Sequence, residues 1–310
     1  MKKLLCVILG VVLALALCGI SMAAKNDRVD SGILTYLGTT EGEFQEALDD
    51  LRKALTPLMN EESAKQEWED YDLLDGFLSE LVKSRRVVHF YDSLLSMQMA
   101  LRAGKIDEMV LPEPVVTYLM ATSPEDYEIQ FSLNMMPSTI SFGFKKGNTA
   151  LKNDFDNAIK AMKKDGTLTV LENRYIKDIG TTVPEEVKFT DFKGSKPIKI
   201  AVTGDLPPID YIAADGRATG YNTAILSEIG KRLKRTIRVI SVEAGGRSAA
   251  LASERADVVF WYRNTDGLKT PKKLKGKNLK NVMIDSSLDG VILSEPYYEW
   301  DTDLVVGRSK

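Results

Sequence analysis

The sequence has few of the residues that carry covalent or metal chemistry. Its only cysteines are Cys6 and Cys18, and its only histidine is His89. Both cysteines lie in an apolar N-terminal segment, so we expect the folded protein to have no disulfide framework and no cysteine metal site. No Ser-His-Asp order, no histidine–carboxylate metal spacing and no glycine-rich phosphate loop is present. These absences predict a protein without cofactor or metal that is not an enzyme.

Charge of either sign in excess is also lacking. The chain has 41 Lys and Arg against 44 Asp and Glu, for a formal net charge of −3. No basic stripe stands out, so nucleic acid is not an expected partner. Beyond the N-terminal segment, no apolar stretch reaches the length of about 20 residues that spans a membrane. The sequence therefore predicts a soluble protein.

The N-terminal segment itself is typical of a secretion signal. Lys2 and Lys3 form a basic start, residues 4–17 are a nearly unbroken apolar run, and residues 21–23 offer small residues for a signal peptidase. We expect cleavage after residue 23 and a periplasmic or extracellular protein. Two alternatives are an uncleaved anchor and a lipoprotein attached at Cys18, where Leu17 takes the place of the usual small residue.

The rest of the chain alternates between short apolar runs and amphipathic segments. This alternation predicts an α/β fold with helices on both faces of a sheet. Residues 51–86 are charged and amphipathic, and they predict a helical insertion. Residues 181–197 are polar and contain two prolines, which predicts a linker. The predicted strands are residues 31–37, 87–90, 107–111, 140–144, 198–202, 237–242, 257–261, 290–293 and 303–306, and helices are predicted over residues 94–103, 115–120, 151–163, 168–176, 222–233 and from 248.

Several motifs resemble family 3 extracellular solute-binding proteins. Residues 90–93 and 100–107, and residues 141–148 leading to 164–168, are similar to the second lobe of that family. The strand at residues 198–202, together with Pro207-Pro208 and Gly220-Tyr221, resembles the family's first strand, its Pro-Pro turn and its Gly-aromatic helix start. Residues 293–298, Leu-Ser-Glu-Pro-Tyr-Tyr, resemble the motif before its first hinge crossing. The resemblance implies a two-lobed receptor of the type II periplasmic-binding-protein architecture, with hinge strands between the lobes.

The order of these motifs is reversed with respect to the family, which predicts a circular permutation. We expect a second-lobe-like domain over residues 24–140 and a first-lobe-like domain over residues 141–310. The latter includes the family's C-terminal helices at residues 141–180. Two truncated tandem proteins are the alternative, but each would expose apolar sheet edges. We expect a monomer, and a dimer that exchanges hinge segments is the second option.

Two regions supply candidate ligand contacts at strand ends. Tyr36 precedes the turn Gly38, Thr39, Thr40, which opens a helix whose free N–H groups favour an anionic group. An ordinary Thr N-cap explains the same residues. In the second region, residues 257–264, Trp261 and Tyr262 are suited to stacking on a flat ligand, and Arg263 and Asn264 to polar contacts. Core packing and a surface ion pair are the alternative for these side chains.

Three further candidates are Glu113, Asp205 and Tyr211. The latter two flank the Pro-Pro turn, and Glu113 follows a predicted strand. The resemblance also shows departures, because amino-acid-binding members carry an Asp at the position of Pro112 and another at Asn222. A buried ammonium needs a charged partner, and Glu113 is the only residue placed to substitute.

The sequence thus predicts an exported receptor that traps an amino-acid-like, carboxylate or aromatic solute for an ABC-type permease. Alternatives from other classes are an enzyme on the same fold, similar to dehydratases and built on carboxylates such as Glu113 and Asp205, and a ligand sensor or interaction module. His89 lies in an apolar strand, and a structural role is the expected one.

Overall fold

The computed structural model describes residues 28–34, 86–179, 187–212, 216–243, 246–264 and 290–309 of the 310-residue chain. Tyr36, Gly38, Thr39 and Thr40 lie outside these residues. So do the predicted signal at residues 1–23 and the predicted insertion at residues 51–86, apart from Arg86. These predictions stay predictions.

The first half of the chain alternates between buried strands and helices. Helix α1 begins after Ser93, whose hydroxyl accepts from the Ser96 N–H at 3.1 Å, and it buries Leu94, Met97 and Leu101 at helical spacing. The elements in order are β1 (Val29–Leu34), β2 (Arg86–Tyr91), α1 (Leu94–Arg102), β3 (Glu108–Pro112) and α2 (Glu113–Thr122).

A single long strand, β4 (Tyr127–Lys145), follows these elements and has 19 residues. The sequence predicts only its last part, residues 140–144. Helix α3 (Thr149–Lys164) comes next, and then α4 (Thr167–Glu172), which runs on into a π-helical turn at Asn173–Lys177.

The second half begins with a strand whose bounds are those predicted. The elements are β5 (Ile198–Val202), β6 (Asp205–Leu206), β7 (Asp210–Ile212), β8 (Ala218–Thr219), α5 (Tyr221–Leu233), β9 (Ile237–Ser241), α6 (Arg247–Ala252), β10 (Val258–Asn264), β11 (Val291–Leu293) and β12 (Tyr298–Arg308). Strands β6, β7 and β8 form a small antiparallel sheet of their own.

Within the described part of the chain, one sheet of nine strands combines both halves, in the order β2-β1-β3-β12-β4-β10-β5-β9, with β11 also paired to β4. Strand β1 is parallel to β2 and β3, and β5 is parallel to β9 and β10. Strand β12, near the chain end, lies antiparallel between β3 and β4, and it pairs Val305 with Val110. Residues from the front and the back of the chain are therefore direct neighbours.

The sheet divides into two lobes joined by two strands. Lobe A comprises residues 28–34, 86–134 and 302–309, and lobe B comprises residues 138–179, 187–264 and 290–300 within the described ranges. Strands β4 and β12 run through both lobes, pairing Thr302 with Asn134 in lobe A and Tyr298 with Ile140 in lobe B. The predicted α/β architecture of two lobes with hinge strands is thus confirmed. The permuted order stays a prediction, and the boundary predicted at residues 140 and 141 lies inside β4.

Aromatic packing joins the end of β4 to helix α3. Phe155 of α3 meets Phe142 and Phe144 edge to face, with ring centroids 5.2 Å apart in each pair. Tyr297 stacks on Phe142 at 4.4 Å, and all four rings are buried. Because buried aromatic side chains dominate core energetics, this cluster stabilises the part of lobe B that lies beside the hinge.

Candidate functional site

Helices α1 and α2 of lobe A meet the β6–β7 hairpin of lobe B, and we call this border between the lobes the crevice. In open α/β sheets, ligands bind beyond the carboxyl ends of the strands. The hairpin forms the lobe B side of the crevice.

A buried carboxyl group supports the base of the β6–β7 hairpin. The Oδ2 atom of Asp210 accepts from the Thr203 hydroxyl and from the Gly204 N–H, each at 3.2 Å. Burial raises the pKa of Asp210 to about 7, the charge of Asp205 adds to the rise, and the charge of Arg247 opposes it. The Oδ1 atom has no hydrogen-bond partner among the described residues.

The loop that closes this hairpin also holds the start of helix α5. The Pro207-Pro208 peptide bond is cis, and the carbonyls of Pro208 and Ile209 accept from the N–H groups of Tyr221 and Asn222 at 3.0 and 2.8 Å. Gly220 has φ +99°, and a Cβ there would lie 2.7 Å from both carbonyl oxygens. Only glycine fits this approach. The first N–H groups of α5 are consequently used by the loop.

Asn222, at the second position of α5, is fully buried. Its side-chain amide has no hydrogen-bond partner among the described residues. Asn222, the predicted departure from the family pattern, therefore lies inside lobe B, where an amide is less costly to bury than a carboxylate.

Among the described residues, two side chains of the hairpin make contacts across the crevice. The Oδ2 atom of Asp205 in lobe B accepts from the N–H of Leu94 in lobe A at 2.9 Å. The rings of Tyr211 and Tyr118, in lobes B and A, have centroids 6.0 Å apart at an angle of 51°. Burial, followed by the proximity of Tyr118, raises the pKa of Tyr211. The structure thus brings two predicted residues, Asp205 and Tyr211, to the border between the lobes.

Leu94 and Tyr118 are absent from the sequence-based prediction. Leu94 makes its contact through the backbone N–H, so the identity of its side chain gives no indication of this role. Tyr118 lies within the apolar pattern of α2, whose neighbours Val115, Val116 and Leu119 are core residues. The available signal in the sequence was a tyrosine, with its polar hydroxyl, among the apolar residues of this helix.

Glu113 is the first residue of α2, and its side chain is exposed. Pro112 is buried, ends β3 and pairs with Asp303 of β12. Burial raises the pKa of Tyr298, at the start of β12, above its ordinary range, and the charges of Glu172 and Glu113 contribute. Carboxylates from both lobes therefore act on one tyrosine at the hinge.

Residues 261–264 lie in β10, beside the lobe B part of β4. Tyr262 pairs with Ser141, Arg263 with Ile140 and Asn264 with Thr139, after a register shift that follows Val259. Irregularities of this kind redirect side chains and are frequent next to functional sites. The backbone of Trp261, Tyr262, Arg263 and Asn264 thus approaches the hinge, while their side chains lie outside what the structure describes.

His89 lies on β2 in lobe A. Its Nε2 atom is 2.6 Å from Oδ1 of Asp30 on β1, which also binds Arg28. The hydrogen bond with the Arg28 guanidinium is the largest cause that lowers the pKa of Asp30, and the contact with His89 lowers it further. Within the described ranges, no three His, Cys, Asp or Glu side chains are placed to hold a metal ion, and no helix is long and apolar enough to cross a membrane.

The segment that forms much of lobe B identifies the relationship to known proteins. Residues 198–265 match the family model of bacterial extracellular solute-binding proteins, family 3. The predicted resemblance is confirmed over these residues. The family 3 segment begins at β5 and contains the hairpin with Asp205 and Tyr211, helix α5 and strand β10. It covers less than a quarter of the chain.

Comparison with curated proteins gave no match. Among solved structures, the chain is similar to the binding protein of an ABC phosphonate transporter from Pseudomonas aeruginosa. The two are 11% identical over 91% of this chain and 69% of the other, with a TM-score of 0.40. The ligand-binding component of an ABC-type import system from Staphylococcus aureus is 10% identical over 92% of this chain and 67% of the other, with a TM-score of 0.39. The alkanesulfonate-binding protein SsuA from Xanthomonas axonopodis pv. citri is 10% identical over 92% and 66%, with a TM-score of 0.38.

Proposed function

We propose that the protein is an exported solute receptor that traps one small molecule between lobes A and B. The observation that carries the proposal is the layout of the sheet, because β4 and β12 run through both lobes and join them as hinge strands. The family 3 match of residues 198–265 supports the same function. Closure of two lobes about a hinge is a common response to a ligand that makes its contacts in the closed state.

The border of the crevice supports a ligand with both a polar and a flat or apolar part. Tyr118 and Tyr211 present aromatic surface from opposite lobes, and Asp205 and Glu113 present carboxylates. The ligand class is accordingly an amino-acid-like, carboxylate or aromatic solute. A ligand ammonium is the group that these carboxylates suit best.

The remaining ligand contacts are proposals of the same kind. Trp261, Tyr262, Arg263 and Asn264 belong to β10, whose backbone approaches the hinge. The group Tyr36, Gly38, Thr39 and Thr40 follows β1 in sequence. Parallel strands β1 and β3 end at the same edge of the lobe A sheet, so residues just after β1 fit the same crevice as Glu113.

Export and delivery complete the proposal. Residues 1–23 direct secretion, the mature protein works in the periplasm or outside the cell, and the closed form delivers its solute to an ABC-type permease. The basic start and short apolar run support export, and the family 3 match supports transport.

A thermal-shift screen tests the function. The purified protein is heated with a library of amino acids, carboxylates and aromatic acids, and a true ligand at 100 times its dissociation constant adds about 2.7 kcal/mol of apparent stability. We expect at least one compound to shift the melting temperature, Tyr211→Ala to reduce the shift, and Ile212→Ala, an exposed neighbour in β7, to retain it in full. A library without any hit, or a hit unaffected by Tyr211→Ala, would contradict the proposal.

Recovery of the hit compound separates the alternatives. A receptor returns its solute chemically unchanged, which NMR of the incubated mixture measures directly. Conversion of the compound would favour an enzyme on the same fold.

A further inference from the structure

We propose that Asp205 is a clasp that holds lobes A and B in contact. This inference rests on the two-lobed fold and not on the proposed function. Its basis is the hydrogen bond from the Leu94 N–H to Oδ2 of Asp205, at 2.9 Å, which joins residues 111 positions apart in sequence.

The bond places a carboxylate at the N-terminus of a helix in the opposite lobe. Leu94 is the first residue of α1, a helix of nine residues. Ser93 already caps this helix through the Ser96 N–H, so Asp205 satisfies a second N–H that has no partner within the helix. A negative charge is favourable at this position because it faces the positive end of the helix dipole.

The clasp cannot follow α1 if the lobes separate, because the hairpin that carries it is fixed to lobe B. Asp205 pairs with Tyr211, and Asp210 binds the backbone just before Asp205 through the Gly204 N–H. The loop of the hairpin is fastened in turn to the start of α5 through the carbonyls of Pro208 and Ile209. Opening the lobes therefore breaks the bond between Asp205 and Leu94.

An aromatic contact beside the clasp also joins the two lobes. Tyr211 is the pairing partner of Asp205, and its ring meets that of Tyr118 from lobe A. One hairpin thus supplies a charge-assisted hydrogen bond and an aromatic contact across the crevice. Together they favour the arrangement in which the two lobes are in contact.

Distance measurement between spin labels tests the clasp. Labels are attached at Lys105→Cys in lobe A and Asn157→Cys in lobe B, both exposed positions, in a chain with Cys6→Ser and Cys18→Ser. Pulsed electron paramagnetic resonance then gives the distribution of distances between the lobes in the protein without ligand. We expect one narrow distribution for this parent, and a second population at longer distance after Asp205→Ala.

Asp257→Ala is the matched control. The Oδ2 atom of Asp257 also accepts from a backbone N–H, that of Lys199 at 2.8 Å, but both residues belong to lobe B. We expect this variant to keep the parental distribution. Equal broadening in Asp205→Ala and Asp257→Ala would overturn the clasp, since the effect would then be general loosening.

Leu94→Pro removes the other half of the bond. Proline is well tolerated at the first position of a helix and lacks the N–H, and Ser93 before it already has the extended backbone, φ −144° and ψ 148°, that proline requires. We expect the same second population as in Asp205→Ala. If Asp205→Ala does not fold, Leu94→Pro alone decides the test. The proposal would be overturned if the folded variants had the same distribution of spin-label distances as the parent.

Discussion

The rings of Tyr118 and Tyr211 approach from opposite lobes to a centroid distance of 6.0 Å. Each residue is partly exposed, so the pair borders the crevice without closing it. A solute that enters between the lobes meets these two rings. The pair therefore connects the hairpin of lobe B to helix α2 of lobe A.

Tyr118→Ala is expected to weaken binding of a compound found by the screen. Loss of one aromatic contact lowers affinity by about 0.5–1.5 kcal/mol, or roughly 2- to 13-fold. Isothermal titration calorimetry measures the change, with Thr117→Ala, an exposed residue of the same helix, as the control. Equal affinity in Tyr118→Ala and Thr117→Ala would remove Tyr118 from the site.

Asp210→Asn is expected to change how stability depends on pH. The pKa of Asp210 is about 7 in the folded protein against an ordinary 3.8. The folded state therefore holds a proton that the unfolded state has lost between these values, and the free energy of unfolding falls as the pH rises through this window. Between pH 5 and pH 8 the loss is about 2–3 kcal/mol.

Urea unfolding at several pH values checks this. Asparagine keeps an acceptor for Thr203 and Gly204 but does not titrate, so the variant should lose less stability than the parent from pH 5 to pH 8. The lowered pKa values of Asp30, Asp165 and Glu254 have the opposite sign and act below their ordinary pKa values, outside this window. Parallel pH profiles for parent and variant would refute the role of Asp210.

Phe155→Ala is expected to lower the free energy of unfolding by about 3–5 kcal/mol, because it opens a cavity in a fully packed cluster. Phe155 is completely buried and touches the rings of Phe142 and Phe144. Asn157→Ala, on the exposed face of the same helix, should change stability by less than about 0.5 kcal/mol. A loss below about 1 kcal/mol for Phe155→Ala would show that these rings do not pack as described.

Gly220→Ala and Gly147→Ala form a pair that separates backbone strain from crowding. Both glycines have φ +99°, but a Cβ on Gly147 meets nothing within 4 Å, whereas one on Gly220 would lie 2.7 Å from two carbonyl oxygens. We expect Gly147→Ala to lose about 1–2 kcal/mol and Gly220→Ala roughly 2–5 kcal/mol. Equal losses in thermal unfolding would mean that the loop at Pro208 and Ile209 moves aside easily.

The elements with a clear apolar period are those that sequence reasoning predicts well. Strand Ile198–Val202 has the predicted bounds, and helix Tyr221–Leu233 differs from its prediction by one residue. The first part of β4 is missed because residues 127–138 mix polar and apolar residues and include Pro137. Its partners in β12 lie more than 150 positions away, and no local pattern contains that pairing.

In the candidate site, too, the predicted residues are those that belong to a local sequence pattern. Asp205 and Tyr211 are predicted because they flank a recognisable Pro-Pro turn, and both border the crevice. Their partners Leu94 and Tyr118 are not predicted, because one acts through its backbone and the other belongs to an apolar helix face. A contact between lobes depends on how the lobes are placed, which spacing along the chain does not encode.

Hydrogen exchange with and without a bound screening hit tests the central claim most directly. A solute held between the lobes should slow amide exchange on both sides of the crevice, in residues 93–97 at the start of α1 and in residues 203–212 around the β6–β7 hairpin. Mass spectrometry of peptides from these segments gives both values in one experiment. Protection confined to a single lobe, or absent from both segments, would contradict a receptor that holds its ligand between the two lobes.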